Sequence, residues 1–197
     1  MASLYFKYSA MNSGKTTQLL QVHYNYTERG MNPLAITAKI DNRAGVGLIK
    51  ARIGLELKAE IFYKKSNIYN LFQSLNSQKK IDAVLIDEAQ FMSRQQVLQC
   101  ANIVDEFNIP VMCYGLKADF KANLFEGSEA LLCYADNIEE IKTICWCGKK
   151  AIHNARIDAN GDMITEGEQI LIGGNESYIS LCRKHFLRGQ AKPVLKE

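Results

Sequence analysis

The tightest constraint on how this chain can fold is the run Ser13-Gly14-Lys15-Thr16-Thr17. It lies between an apolar stretch at residues 2–8 and a helix-like run from Thr16 to Arg29 that Gly30 stops. A strand that feeds a tight loop, which then opens a helix, lets backbone N–H groups surround phosphate oxygens, and the helix dipole adds favourable potential. In such a loop Lys15 reaches the β- and γ-phosphates and the Thr16 hydroxyl meets magnesium. Ser9 stands where the pattern G-x-x-x-x-G-K-[ST] has its first glycine. Taken alone, the run could equally be a polar turn ahead of an ordinary helix.

A second element supports the nucleotide reading. Ala83-Val84-Leu85-Ile86-Asp87-Glu88 is an apolar strand ending in two carboxylates. Beside a phosphate loop, Asp87 can hold magnesium directly or through water, and Glu88 lies near the γ-phosphate, where a base is useful. The alternative is a pair of solvated acids that cap a strand. Both elements in this order point to a bound nucleotide.

The surrounding pattern gives the fold class. Leu34–Thr37, Ile81–Ile86 and Ile109–Tyr114 read as strands. Ser66–Gln78, with Ile68, Leu71, Phe72 and Leu75 at helical spacing, and Arg94–Phe107 read as helices. Strands alternating with helices predict an α/β, P-loop NTPase-type domain with a mostly parallel sheet over residues 1–140. Residues 41–54, with three glycines and no clear period, read as a mobile loop.

The texture changes near residue 140. Residues 141–197 read as a small β-rich lobe with turns at Asn160-Gly161 and Gly173-Gly174. A lobe this small commonly needs a metal staple. Cys145, Cys147, Cys182 and His185 form a suitable zinc set, three thiolates and an imidazole that close a tetrahedral structural site. A C-x-C across one strand would put both thiols on one face, which suits ligation but also suits packed thiols. Cys100, Cys113 and Cys133 read as buried small hydrophobes, and His23 and His153 as ordinary helix or turn residues.

Composition narrows the classes. With 47% hydrophobic and 23% charged residues in 197, the chain can bury a sizeable core. A net charge of +3 is too mild to argue for a nucleic-acid partner. No apolar run approaches the roughly 18 residues of a membrane span, and the N-terminus lacks a signal-peptide layout. The expected location is the cytoplasm, with the cysteines reduced or metal-bound.

Together these motifs resemble the type II thymidine kinases, over nearly the whole chain. Ser9-Ala10-Met11-Asn12-Ser13-Gly14-Lys15-Thr16 is similar to that family's phosphate loop, Ser9 included. Asp87-Glu88-Ala89-Gln90-Phe91 is similar to its D-E-x-Q-F signature. Ile172-Gly173-Gly174-Asn175-Glu176-Ser177-Tyr178 resembles its substrate loop, the lasso, set between the two ligand pairs. The resemblance implies a homotetrameric kinase that uses ATP, magnesium and structural zinc in nucleotide salvage. Its substrate would be deoxythymidine, with deoxyuridine as the second candidate. ATP and magnesium would be bound by the phosphate-loop residues together with Asp87, Glu88, Ala89 and Gln90. Met11, Phe91, Phe120, Phe125 and Tyr178, with Ile170, Leu171, Ile172 and Gly173, would form the base pocket. Arg52 would sit near the 5′-hydroxyl and Glu88 would be the base.

Two other classes compete on the same residues. One is a P-loop ATPase in which Glu88 polarises water. The other is a zinc-ribbon nucleic-acid-binding protein using Arg183, Lys184, Arg188, Lys192 and Lys196. On the kinase reading, loss of zinc is expected to release the lasso while ATP binding, assigned to the other domain, largely survives.

Overall fold

In the computed structural model, which describes residues 1–171 and 177–193, the apolar runs become strands of one sheet. Strand β1 (Leu4–Ser9) leads into helix α1 (Lys15–Glu28), which returns the chain to β2 (Pro33–Ala38). A hairpin of two short strands, β3 (Leu48–Lys50) and β4 (Glu56–Lys58), precedes β5 (Glu60–Phe62) and helix α2 (Ile68–Gln78). Next come β6 (Ala83–Asp87), α3 (Arg94–Phe107), β7 (Val111–Leu116), α4 (Glu126–Tyr134) and β8 (Asn137–Glu140). The strand order is β5-β2-β6-β7-β1-β8, and every pairing is parallel. The carboxyl ends of β1 and β6 therefore emerge at one edge, with only β7 between them.

The pleat explains the apolar composition. Alternate residues of the strands point to opposite faces, so a sheet covered on both sides has few polar positions. Phe6, Ile36, Ile86 and Cys113 pack with Phe72, Val97 and Ile103 from α2 and α3. Their neighbours Ala35, Leu85 and Tyr114 pack with Leu19 and Leu20 of α1. Helix ends are set locally. Asn67 accepts the Asn70 N–H ahead of α2, and Ser93 with Gln96 closes a capping box on α3. Helix α1 has no side-chain cap at Gly14, which leaves its first N–H groups facing the loop.

The remaining chain forms small antiparallel pieces. β9 (Thr143–Ile144) pairs with β10 (Lys150–Ala151), and β11 (His153–Ile157) lies between β12 (Met163–Ile164) and β13 (Tyr178–Leu181), before helix α5 (Arg183–Leu187). The Asn160-Gly161 turn is present, with Gly161 at φ 81° and its N–H on the Asp158 carbonyl. The Gly173-Gly174 turn lies outside the described residues. Among the described residues no helix is long and apolar enough to cross a membrane.

Three expectations are corrected. Residues 41–54 are not loop throughout, because β3 pairs with β4 and buries Ile49. Three-residue strands are too short to show a period. Cys133 is exposed on α4, whereas Cys100 and Cys113 are buried. The C-x-C segment sits past the end of β9 in a tight turn, where the Gly148 N–H donates to the Cys145 carbonyl.

Helix α4 starts against the turn Ala89–Phe91, and the contact tolerates no side chain at Gly127. A Cβ there would come within 2.5 Å of the Ala89 carbonyl oxygen and 2.8 Å of that of Met92. Gly127→Ala is expected to lower unfolding free energy by about 1–3 kcal/mol in urea titrations. Wild-type stability would show that α4 can shift without cost.

Candidate active site

The phosphate loop runs from the last residue of β1 to the first of α1. Asn12 (φ 60°) and Gly14 (φ 81°) take left-handed backbone, which bends the loop round the helix N-terminus. Ser9 is still in the strand, so no glycine is needed there. Its hydroxyl accepts from the Lys15 ammonium at 2.9 Å and bonds Ser13 Oγ. Lys15 also donates to the Ala10 carbonyl at 3.1 Å. Burial lowers the Lys15 pKa, against the pull of Glu88 and Asp87.

The two acids sit opposite this loop. Asp87 Oδ2 is 3.5 Å from Thr16 Oγ1, and burial beside Glu88 raises its pKa to about 7. Thr16 and Asp87 are both oxygen donors and fit a magnesium ion held between loop and strand. Glu88 is the residue where the chain turns off the strand, at φ 54°, a region costly for a side chain and concentrated at functional sites. One carboxylate oxygen takes the Arg43 guanidinium at 2.9 Å, and the other takes the Gln90 amide at 2.5 Å. Arg43 is in turn held charged by hydrogen bonds to Asp41. Gln90 is buried, and its carbonyl accepts the Leu116 N–H at 3.0 Å. A side chain at Gly115 would strike it, since a Cβ there lies 2.8 Å from Gln90 Oε1. Gln90 thus braces Glu88 against β7 and is turned from the phosphate loop, and Ala89 is fully buried.

Beside the acids is an apolar pocket. Phe91 and Phe125 meet edge to face at 5.9 Å, and Phe120, Met11, Tyr178, Ile170 and Leu171 complete the apolar wall. Asp119, Asn154 and Gln169 supply polar groups. A larger cleft of about 780 Å³ holds the phosphate loop, Asp41, Arg52 and Asp87. Met11, Arg43, Glu88 and Leu116 line both cavities, so the two adjoin at these residues. Arg52 faces only the phosphate cleft. Ile172 and Gly173 lie outside the described residues.

The wall is held by Arg156. This buried guanidinium lies 3.8 Å above the Phe120 ring and donates to the Tyr178 hydroxyl at 2.8 Å. The Tyr178 hydroxyl in turn donates a hydrogen bond to the Leu171 carbonyl at 2.9 Å. Two ring faces and a phenol oxygen offset the buried charge.

Cys145, Cys147, Cys182 and His185 come together, their ligand atoms within 4.8 Å of one another. Cys145 Sγ is 3.4 Å from His185 Nδ1, Cys182 Sγ is 3.5 Å from it, and the Cys147 and Cys182 sulfurs are 3.9 Å apart. Zn–S bonds of about 2.3 Å and a Zn–N bond of about 2.0 Å give tetrahedron edges of roughly 3.5–3.8 Å. The donor set is compatible with zinc and too widely spaced for a disulfide. Trp146 stacks on His185 with ring centroids 4.1 Å apart and fixes its plane.

Comparison with known proteins agrees with this geometry. The family model for thymidine kinase matches residues 2–186. The chain belongs to the thymidine kinase family. The thymidine kinase of Mannheimia succiniciproducens is 52% identical over 98% of each chain. That of Legionella pneumophila strain Paris is 55% identical over 97% of this chain and 92% of the relative. That of Aliivibrio fischeri is 50% identical over 98% of this chain and all of the relative.

In this member of the thymidine kinase family, motif reading did not single out Arg43, Asp119, Asn154, Arg156 or Gln169. None belongs to a short motif. The one available signal was Arg43, a cation two residues after Asp41 in the glycine-containing stretch. His153 is a strand residue stacked on Phe186 at 4.3 Å, not a helix or turn residue. Elemental analysis of protein purified without chelator is expected to find stoichiometric zinc, and Cys182→Ser should lose it. A metal-free wild-type protein with normal stability would return the cysteines to packed thiols.

Proposed function

We propose that the γ-phosphoryl of ATP passes to the 5′-hydroxyl of deoxythymidine beside Glu88, where the two cavities adjoin. Family membership and high-coverage likeness to bacterial thymidine kinases give the chain thymidine kinase activity, with a phosphate-donating nucleotide as co-substrate. The observation that carries the assignment of roles is the shared lining, with Met11, Arg43, Glu88 and Leu116 belonging to both cavities.

On this reading the phosphate loop cradles the triphosphate with its amides. Lys15 leaves Ser9 and Ala10 to meet the β- and γ-oxygens. Thr16 and Asp87 would hold magnesium, which when bound would offset negative charge on the phosphate oxygens. Glu88 accepts the 5′-hydroxyl proton as that oxygen attacks the γ-phosphorus in line, and the bond from that phosphorus to the β,γ-bridging oxygen breaks to release ADP. Gln90 and Arg43 fix the carboxylate, because a base contributes only when it is aimed. Positioning supplies most of the remaining acceleration. Arg43, the cation paired with Glu88, lies beside the reacting hydroxyl on this reading, and Arg52, which the resemblance places near that hydroxyl, lines the same cleft as Glu88.

The thymine ring enters between Phe91, Phe125 and Phe120, with Tyr178 at its edge. Apolar walls suit the 5-methyl group, and a few polar groups orient the ring. The lasso, Ile172 and Gly173 included, supplies backbone groups to the base. Residues 1–140 act as the ATP-binding domain and residues 141–197 as the zinc lobe, where zinc is structural because four protein ligands leave no open position.

Glu88→Gln should keep affinity for both substrates yet lose about 10²-fold or more in kcat, as the shape stays and the base goes. Single-turnover assays and separate binding titrations measure the two effects. Near-normal turnover in this variant would sink the assignment of Glu88.

A further inference from the structure

The C-terminal strands grip the phosphate loop itself. Asn154 of β11 and Ser180 of β13 stand opposite one another in antiparallel register, and both are buried. Asn154 Oδ1 accepts the Met11 N–H at 2.7 Å, and the Ser180 hydroxyl donates to the Met11 carbonyl at 2.7 Å. One register pair thus satisfies both backbone groups of a single loop residue. Thr143, at the start of β9, adds a third bond, its hydroxyl donating to the Asn12 carbonyl at 3.0 Å.

Met11 and Asn12 are where the loop turns. Asn12 is in left-handed backbone, and the residues after it carry the N–H groups that open α1. A peptide held on both sides at this point fixes the direction in which those amides face. Among the described residues the loop's own side-chain bonds fall elsewhere: Ser9 and Ser13 bond one another, and Lys15 bonds Ser9 and Ala10. Ser180 lines neither cavity, and the loop group that it holds is the Met11 carbonyl.

We propose that Ser180, with Asn154 and Thr143, is a positioning residue for the phosphate loop, so that ATP affinity depends on the same zinc-bearing lobe that walls the nucleoside pocket. This rests on the reading that the loop binds ATP. The division expected from the sequence, in which zinc loss spares ATP binding, ignores these three bonds. β13 runs directly into Cys182, and Cys147 follows β9 closely, so zinc braces the strands that hold Thr143 and Ser180. Coupling of this kind is reciprocal: a nucleoside that orders the lobe orders the loop, and ATP in the loop favours the nucleoside.

The test compares Ser180→Ala, Ser180→Thr and Thr143→Ala, with ATP and thymidine affinities measured separately by calorimetry alongside zinc content and Tm. Losing the donor leaves the Met11 carbonyl unpaired, and Ser180→Ala should weaken ATP by about tenfold. Thymidine, whose pocket also includes Met11, should weaken clearly less than ATP, with zinc retained. Ser180→Thr keeps the hydroxyl and should recover most of the ATP affinity. Thr143→Ala, at an only partly buried strand start, should weaken ATP in the same direction and keeps the test decisive if Ser180→Ala folds poorly. A merely structural role would lower Tm and weaken both ligands together, which would overturn the proposal. So would unchanged ATP affinity in both alanine variants, and that result would leave the kinase reading standing. Failure of the wild-type protein to bind ATP would overturn both.

Discussion

Two adjacent carboxylates at the end of a buried strand are the constraint around which the site is built. Asp87 and Glu88 repel one another where water is scarce, and Asp87 is driven up to about 7 by burial and by that neighbour. Such a pair persists only if cations and donors converge on it. Lys15 comes from the loop after β1, Arg43 from the stretch after β2, Gln90 from the turn just beyond, and Thr16 from the start of α1. Each is carried there by the parallel sheet, whose carboxyl edge gathers loops that are distant in sequence. The electrostatic demand of two acids and the topology of the sheet specify the same place.

The acids also explain why the surroundings are so tightly packed. Gln90 can brace Glu88 only because Gly115 leaves room on β7, and the turn that carries Gln90 can meet α4 only because Gly127 leaves room on that helix. Positive φ at Glu88 is the conformational cost of swinging its carboxylate off the strand axis. The apolar pocket then begins where this bracing ends, at Phe91, so the group that would take a proton and the rings that would hold a base are near neighbours in the chain.

Local chemistry was legible in the sequence and long-range chemistry was not. Ser13-Gly14-Lys15-Thr16 and the strand ending at Asp87 were readable because backbone geometry fixes their spacing within a few residues. The metal cluster was readable because four donors in a segment with little core have few other uses, although the C-x-C proved to lie on a turn. Asn154, Arg156 and Ser180 were invisible, being single polar residues in strands whose partners are found only after the chain folds. Ser180 reaches Met11 across 169 residues and Asn154 across 143. Arg43 carried no motif to mark it in its glycine-containing stretch, and only the folded chain shows that it meets Glu88. The β3–β4 hairpin escaped for a related reason, since three-residue strands carry no periodicity.

The central claim is that the site at Glu88 serves a nucleoside hydroxyl and not water. The direct measurement is to incubate the protein with magnesium and ATP, alone and with each nucleoside in turn, and to follow ADP and nucleoside monophosphate together. The account predicts thymidine monophosphate formed in step with ADP, and little ADP when nucleoside is left out. ADP release at the same rate with no nucleoside present, and no monophosphate from thymidine, would contradict it.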